Sequence, residues 1–382
     1  MSGRRSSAAA AVSLLRGLVG PAALCLGGSM SLCGAPAARA AGPAGGGGGG
    51  SGPSAARLNP PWLRLPEVPG AGPHRNNELL LLLPQPPPSP APPQHHVVYF
   101  PGDVQNYHDI MSCHPENCQW EQWSFENVAT ILAGRFPNSF IWVVKCSRMH
   151  LHKFSCYDNF VASNMFGAPE HSSQLGAFKH LHGLLVNAFR LSQSALLPYR
   201  GAHGVSKDAK AAACRSQLHS GPTANGCSEA ERGCECSAGA AADLTIPSAV
   251  GAASFTLVGF SKGCVVLNQL LYELKEAKKD KSAGAFLKSI KAMYWLDGGH
   301  SGGSNTWVTS PEVLKELAEA GIEVHAHVTP YQVFDTMRSW IGREHEKFVQ
   351  LLEEFGVEVK DQLHFADDLP SLDNHFRVHE VF

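Results

Sequence analysis

One stretch constrains this chain more than any other: Gly259-Phe260-Ser261-Lys262-Gly263. An apolar run, Phe255-Thr256-Leu257-Val258, leads straight into it. After it, Val266, Leu267, Leu270, Leu271 and Leu274 fall on one broad face at helical spacing. Gly-x-Ser-x-Gly alone is short enough to occur by chance. Between a buried strand and an amphipathic helix it is the signature of a nucleophile elbow. The turn is sharp, so the residues around the serine must be small, and Ser261 is left over the amino terminus of the helix. The backbone N–H of Lys262, the next residue, is then placed to donate into an oxyanion hole.

The rest of the chain agrees with such a setting. From His95 onward short apolar runs alternate with helical patterns, as βαβ units building a parallel sheet do. The strand candidates are 96–100, 140–145, 255–260, 292–296, 324–328 and 357–365. Val128, Ile131, Leu132 and Phe136 share a helix face, as do Phe178, Leu181, Leu185 and Phe189. Ser310-Pro311-Glu312 starts a helix that Gly321 closes. The expected fold is α/β: an α/β-hydrolase-like, doubly wound, mostly parallel sheet occupying 95–382. Residues 1–94 and 192–253 are too small and polar to offset the entropy of ordering them, so they read as a disordered amino-terminal region and a low-complexity insertion.

A serine hydroxyl needs a base to become a nucleophile, and in this fold the chain order is Ser, acid, His. The loop after the last strand reaches Asn374-His375-Phe376, which makes His375 the base. His379 competes from the closing helix, and His364 sits within the strand. Two carboxylates can orient the imidazole. Asp335, a short loop after 324–328, is favoured, and Asp297, at the end of 292–296, is the alternative. The second oxyanion donor is expected from Pro101-Gly102-Asp103-Val104, either Gly102 or Asp103. Arg148 and His300 open onto the same edge, where open α/β sheets bind ligands, and are candidate substrate contacts.

The formal net charge is −2, with no basic stripe interleaved with aromatics, so nothing calls for a nucleic-acid partner. No apolar run is long enough for a transmembrane segment. The 11 cysteines contain no Cys-x-x-Cys, and His150 and His152 lack a third ligand. No metal or cofactor is expected. There is no Asp or Glu before Glu67, whereas Arg4, Arg5, Arg16, Arg39, Arg57 and Arg64 are present. That composition suits a mitochondrial transit peptide, placed at 1–40, ahead of a Gly/Pro-rich linker at 41–94. Matrix residence follows from it. The alternative is a secretory signal ending near Ala38-Arg39-Ala40, disfavoured by the lack of any Asn-x-Ser/Thr acceptor.

Several longer blocks carry a family resemblance. They are Tyr99-Phe100-Pro101-Gly102-Asp103-Val104-Gln105-Asn106-Tyr107, Gly259 through Gln269, Met293 through Gly303, and Asn374 through Phe382. Together they resemble the vertebrate mitochondrial family known as chromosome two open reading frame sixty-nine. The resemblance implies an α/β-hydrolase-like fold and mitochondrial residence, without an assigned reaction. The Phe-Pro-Gly-Asp loop is also similar to the Pro-Gly-Asn loop of lipid-droplet-associated hydrolases, which points toward a small-molecule or lipid acyl ester.

Two functions are compatible with these residues. One is a serine hydrolase acting on an ester or thioester. The other is a catalytically silent protein of the same fold that binds a mitochondrial partner protein.

Overall fold

A computed structural model of the chain describes residues 62–72, 74–84, 94–164, 168–200 and 253–382. Its strands are β1 (Trp62–Pro69), β2 (Asn76–Leu82), β3 (His95–Phe100), β4 (Phe140–Val144), β5 (Arg148–His150), β6 (Phe154–Cys156), β7 (Ala162–Ser163), β8 (Pro169–Glu170), β9 (Ser254–Phe260), β10 (Ile290–Leu296), β11 (Glu323–Val328) and β12 (Val359–Leu363). Its α-helices are α1 (His108–Cys113), α2 (Phe125–Arg135), α3 (Ala177–Arg200), α4 (Cys264–Lys279), α5 (Lys281–Ser289), α6 (Pro311–Ala320), α7 (Pro330–Val333), α8 (Trp340–Glu354) and α9 (Leu372–Val381).

Eight strands form one sheet in the order β1-β2-β4-β3-β9-β10-β11-β12, and β5–β6 and β7–β8 are small separate pairs. β1, β2 and β4 pair antiparallel. Every later neighbour in the sheet is parallel. A parallel sheet must be covered on both faces, and the alternation along β3 shows how. Val98 and Phe100 join the core under α3, α4, α5, α6 and α8. Val97 and Tyr99 join the other core, under α2 and α9. In α4 the stripe Val266, Leu267, Leu270, Leu271 and Leu274 is buried to 1% exposure or less, and truncating one such leucine to alanine costs about 2–5 kcal/mol.

The sheet already includes Trp62–Pro69 and Asn76–Leu82, ahead of the expected boundary at His95. β1 and β2 lie inside the stretch that composition assigned to a linker. Leu79, Leu80 and Leu81 are at most 1% exposed, and Leu79–Leu82 pair with Ile141–Val144. A run of five leucines is far too short for a bilayer yet suits a doubly buried strand, and its Pro- and Gly-rich flanks hid that. Helix α3 likewise continues to Arg200, past the expected start of the insertion. Residues 201–252 and the stretch 1–40, expected from composition to be a transit peptide, lie outside the described residues. Among the described residues no helix is long and apolar enough to cross a membrane.

Candidate active site

Ser261 follows the last residue of β9 and opens a short 3₁₀ turn, Ser261–Gly263, that runs into α4. Its φ is 50°, a left-handed conformation that costs a non-glycine residue of order 1–3 kcal/mol. The surroundings hold it there. A Cβ on Gly263 would lie 1.9 Å from the Phe100 carbonyl oxygen, so the turn needs glycine to sit against the end of β3. A Cβ on Gly102 would lie 2.8 Å from Ser261 Cβ, which places the loop after β3 against the serine.

β9 and β10 are adjacent and in register, with Phe260 opposite Leu296. Ser261 and Asp297 are therefore the residues one step beyond a paired position. Asp297 has the same left-handed backbone, φ 47°, and is fully buried. Its Oδ1 accepts the Thr329 N–H at 2.7 Å and its Oδ2 accepts the Thr329 hydroxyl at 2.6 Å. Oδ2 also meets His375 Nδ1 at 2.6 Å. A carboxylate only accepts, so Nδ1 bears a hydrogen, and in the neutral form of the ring Nε2 is the nitrogen with the lone pair. The His375 ring packs on Phe260, the residue before the serine, with centroids 4.6 Å apart, and on Tyr331 at 4.8 Å. His375 Nε2 and Ser261 Oγ have no hydrogen-bond partner among the described residues.

Of the two carboxylates weighed from sequence, the structure joins Asp297 to His375 and not Asp335. Asp335 is occupied by its own turn. It accepts from the N–H groups of Met337 and Arg338 at 2.8 and 3.3 Å, and from Arg338 Nε at 2.6 Å. His379 is buried away from any carboxylate, with Nδ1 on the Phe376 carbonyl at 2.6 Å. His364 lies just past β12 and meets His327 at 2.9 Å.

The loop after β3 is pinned from several sides. The Tyr157 hydroxyl donates to Pro101 O at 2.6 Å, and the Ser155 hydroxyl donates to Gly102 O at 2.8 Å. The Asp103 carboxylate accepts the Ser155 N–H at 2.7 Å. The Gly102 N–H is committed to Gln105 Oε1 at 2.8 Å. The Asp103 N–H has no partner among the described residues. Lys262 is buried beside this loop. Burial pushes its ammonium down from the ordinary lysine value, and Asp103 pulls it back up. Burial raises the Asp103 carboxyl, with Lys262 first among the groups opposing it. The elbow and the loop thus set a buried amine and a buried carboxyl near each other, each pushed toward its neutral form by burial and drawn back by the other.

The two candidate substrate contacts are engaged elsewhere. His300 accepts the Gly302 N–H on Nδ1 at 2.9 Å and donates from Nε2 to Asn305 O at 3.0 Å. Both ring nitrogens hold its own glycine-rich turn, and burial pushes its pKa down to about 3. Arg148 pairs with Asp158 at 3.1 Å and is half exposed. Sequence reasoning missed Thr329, whose signal was its place at the carboxyl end of β11. It also missed Ser155 and Tyr157, which no spacing rule connects to the loop they hold. Among the described residues no group of His, Cys, Asp and Glu could hold a metal ion.

The strand order, the positive-φ serine at the end of β9 and the histidine–aspartate pair beside it define an α/β-hydrolase-fold protein. The chain belongs to the C2orf69 family, whose model matches residues 64–358. It is 62% identical over 335 residues to the human mitochondrial protein C2orf69, covering 84% of this chain and 86% of that one. It is 47% identical over 288 residues to the zebrafish homologue, covering 75% and 73%. Among solved structures, a Bacillus cereus carboxylesterase overlaps 80% of this chain and 92% of its own at 9% identity and a TM-score of 0.34. A thermostable esterase overlaps 84% and 61% at 10% identity and a TM-score of 0.36. The fold assignment rests on strand order and the elbow, not on these partial overlaps.

Proposed function

We propose that the protein is a mitochondrial serine hydrolase of the esterase, lipase or thioesterase class, acting on an acyl ester or thioester. The observation that carries this reading is the His375 Nδ1 to Asp297 Oδ2 bond of 2.6 Å beside a serine held at φ 50°. Asp297 fixes the tautomer, so Nε2 is the base. Nε2 takes the Ser261 hydroxyl proton as Oγ attacks the acyl carbonyl carbon. The N–H groups of Asp103 and Lys262 receive the oxyanion, the Gly102 N–H being already committed. Collapse of the tetrahedral intermediate expels the alcohol or thiol, protonated by the imidazolium. Water then enters by the same route, gives its proton to Nε2, and releases the acid. Residence in mitochondria is supported by the names of the relatives and by the acid-free, arginine-bearing stretch before Glu67.

A second reading has its own observation: Ser261 Oγ and His375 Nε2 are not hydrogen-bonded. It makes the protein a catalytically silent binder of a mitochondrial partner protein. One experiment separates the two. A fluorophosphonate probe should label wild-type protein at Ser261 and leave Ser261→Ala unlabelled. Folded wild-type protein that stays unlabelled would remove the hydrolase reading and leave the second.

A further inference from the structure

A chain of buried polar groups joins the loop at Gly102 to the helix that carries His375, and none of them enters the reaction proposed above. Gln105 is fully buried. Its Oε1 accepts the Gly102 N–H at 2.8 Å and lies 2.8 Å from the Tyr99 hydroxyl, while its Nε2 donates to Trp123 O at 3.0 Å. The same hydroxyl is 2.9 Å from His379 Nε2. His379 Nδ1 donates to Phe376 O at 2.6 Å, and Phe376 directly follows His375 on α9.

Backbone groups fix the direction of the bonds at both ends of this series. Flipping the Gln105 amide would set its NH₂ against the Gly102 N–H and its oxygen against Trp123 O. Phe376 O only accepts, so His379 keeps its hydrogen on Nδ1 and offers Nε2 as an acceptor. Burial pushes His379 down to about 3, so no second ring hydrogen is present near neutral pH. Tyr99 therefore has one hydroxyl hydrogen and two acceptors, one on the loop side and one on the helix side. The His379 ring is also wedged between Phe260 and Trp123, at 4.2 and 5.7 Å between centroids. One hydrogen serves two buried acceptors, so a shift on either side changes the bond left to the other.

We infer that Gln105, Tyr99 and His379 are positioning residues that couple the oxyanion loop to the helix carrying the base. Gln105 holds the Gly102 N–H away from the reacting centre, and Tyr99 ties that arrangement to α9. The catalytic consequence rests on the serine-hydrolase reading, whereas the coupling does not.

The test uses the full chain and two measurements. In amide hydrogen exchange, Tyr99→Phe keeps the ring and removes the hydroxyl, and should speed exchange at least threefold in both 101–107 and 372–381. In phosphonylation by a fluorophosphonate, Tyr99→Phe and Gln105→Met should lower the limiting labelling rate of folded protein by about tenfold with the probe's half-saturating concentration unchanged. A merely structural role would reduce the folded fraction and leave that rate intact. Wild-type exchange at 101–107 in Tyr99→Phe overturns the coupling. Accelerated exchange with wild-type labelling rates in both variants overturns the positioning role. If wild type does not label at all, the hydrolase reading fails and exchange alone decides the coupling.

Discussion

The imidazole of His375 and the carboxylate of Asp297 meet at 2.6 Å, across 78 residues of chain, with Asp297 fully buried and doubly bonded to Thr329. Under the hydrolase reading that bond sets the tautomer of the base. Asp297→Asn should therefore slow labelling of Ser261 by about 10³–10⁴. Asp335→Asn should change labelling less than about threefold and cost at most about 1 kcal/mol of stability, since asparagine still caps the turn and only the ion pair with Arg338 is weakened. Phosphonylation kinetics of the two variants side by side check this, and equal losses would contradict it.

Ser261 occupies a backbone conformation that suits glycine. Ser261→Gly should leave the protein unlabelled and about 1 kcal/mol more stable than Ser261→Ala, because glycine reaches φ 50° without the Cβ penalty. Thermal midpoints of the two variants decide. A Ser261→Gly protein no more stable than Ser261→Ala would mean that the elbow stores no strain.

Gly263→Ala should unfold the domain or cost more than about 4 kcal/mol, because its Cβ would lie 1.9 Å from the rigid Phe100 carbonyl. Gly303→Ala, where nothing lies within 4 Å of the new Cβ, should stay within about 0.5 kcal/mol of wild type. Urea denaturation of both variants measures the contrast.

Buried histidines set the acid response. Burial depresses His96, His300 and His327 to about 3 and His180 to about 4, from an ordinary 6.5. Below 6.5 the unfolded chain binds protons that the folded chain refuses, so stability falls as pH drops from 6.5 toward 4. Above 6.5 both states are neutral and these residues add no slope. Each contributes up to about 1.4 kcal/mol per pH unit in that window. Asp103, with its carboxyl raised, works in the opposite direction but is a single group. The urea midpoint measured from pH 8 to 4.5 should be flat and then fall. A flat midpoint down to pH 5 would contradict the burial of these rings.

Much of this fold was legible because its signals are local. The parallel strands β3, β4, β9, β10 and β11 announce themselves as short, largely apolar runs, and the elbow is carried by five consecutive residues; β12, Val359–Leu363, is a polar edge strand. β1 and β2 were illegible for a compositional reason: Trp62–Pro69 and Asn76–Leu82 are embedded in proline and glycine that outweigh their own pattern. At the candidate site, the motif singles out Ser261, and chain order singles out His375 as the candidate base. The choice between Asp297 and Asp335 could not, since both sit in loops at the carboxyl edge. It depends on which side chain the His375 ring faces, and that is set by the packing of α9 against Phe260 and Tyr331. Gln105, Tyr99 and His379 are separated by up to 280 residues, and no pattern in one chain links them.

The register of β9 on β10 has a consequence for the order of assembly. Pairing Phe260 with Leu296 makes neighbours of Ser261 and Asp297 while the sheet is still forming. His375 comes from outside the sheet, on a helix that packs onto it through Phe376 and Val378. Under the hydrolase reading, the sheet alone therefore supplies the serine and the acid but not the base. A chain truncated after β12 would retain every strand of the sheet and the left-handed serine, with nothing to take its proton. Under the hydrolase reading, labelling of Ser261 would then report that α9 is docked.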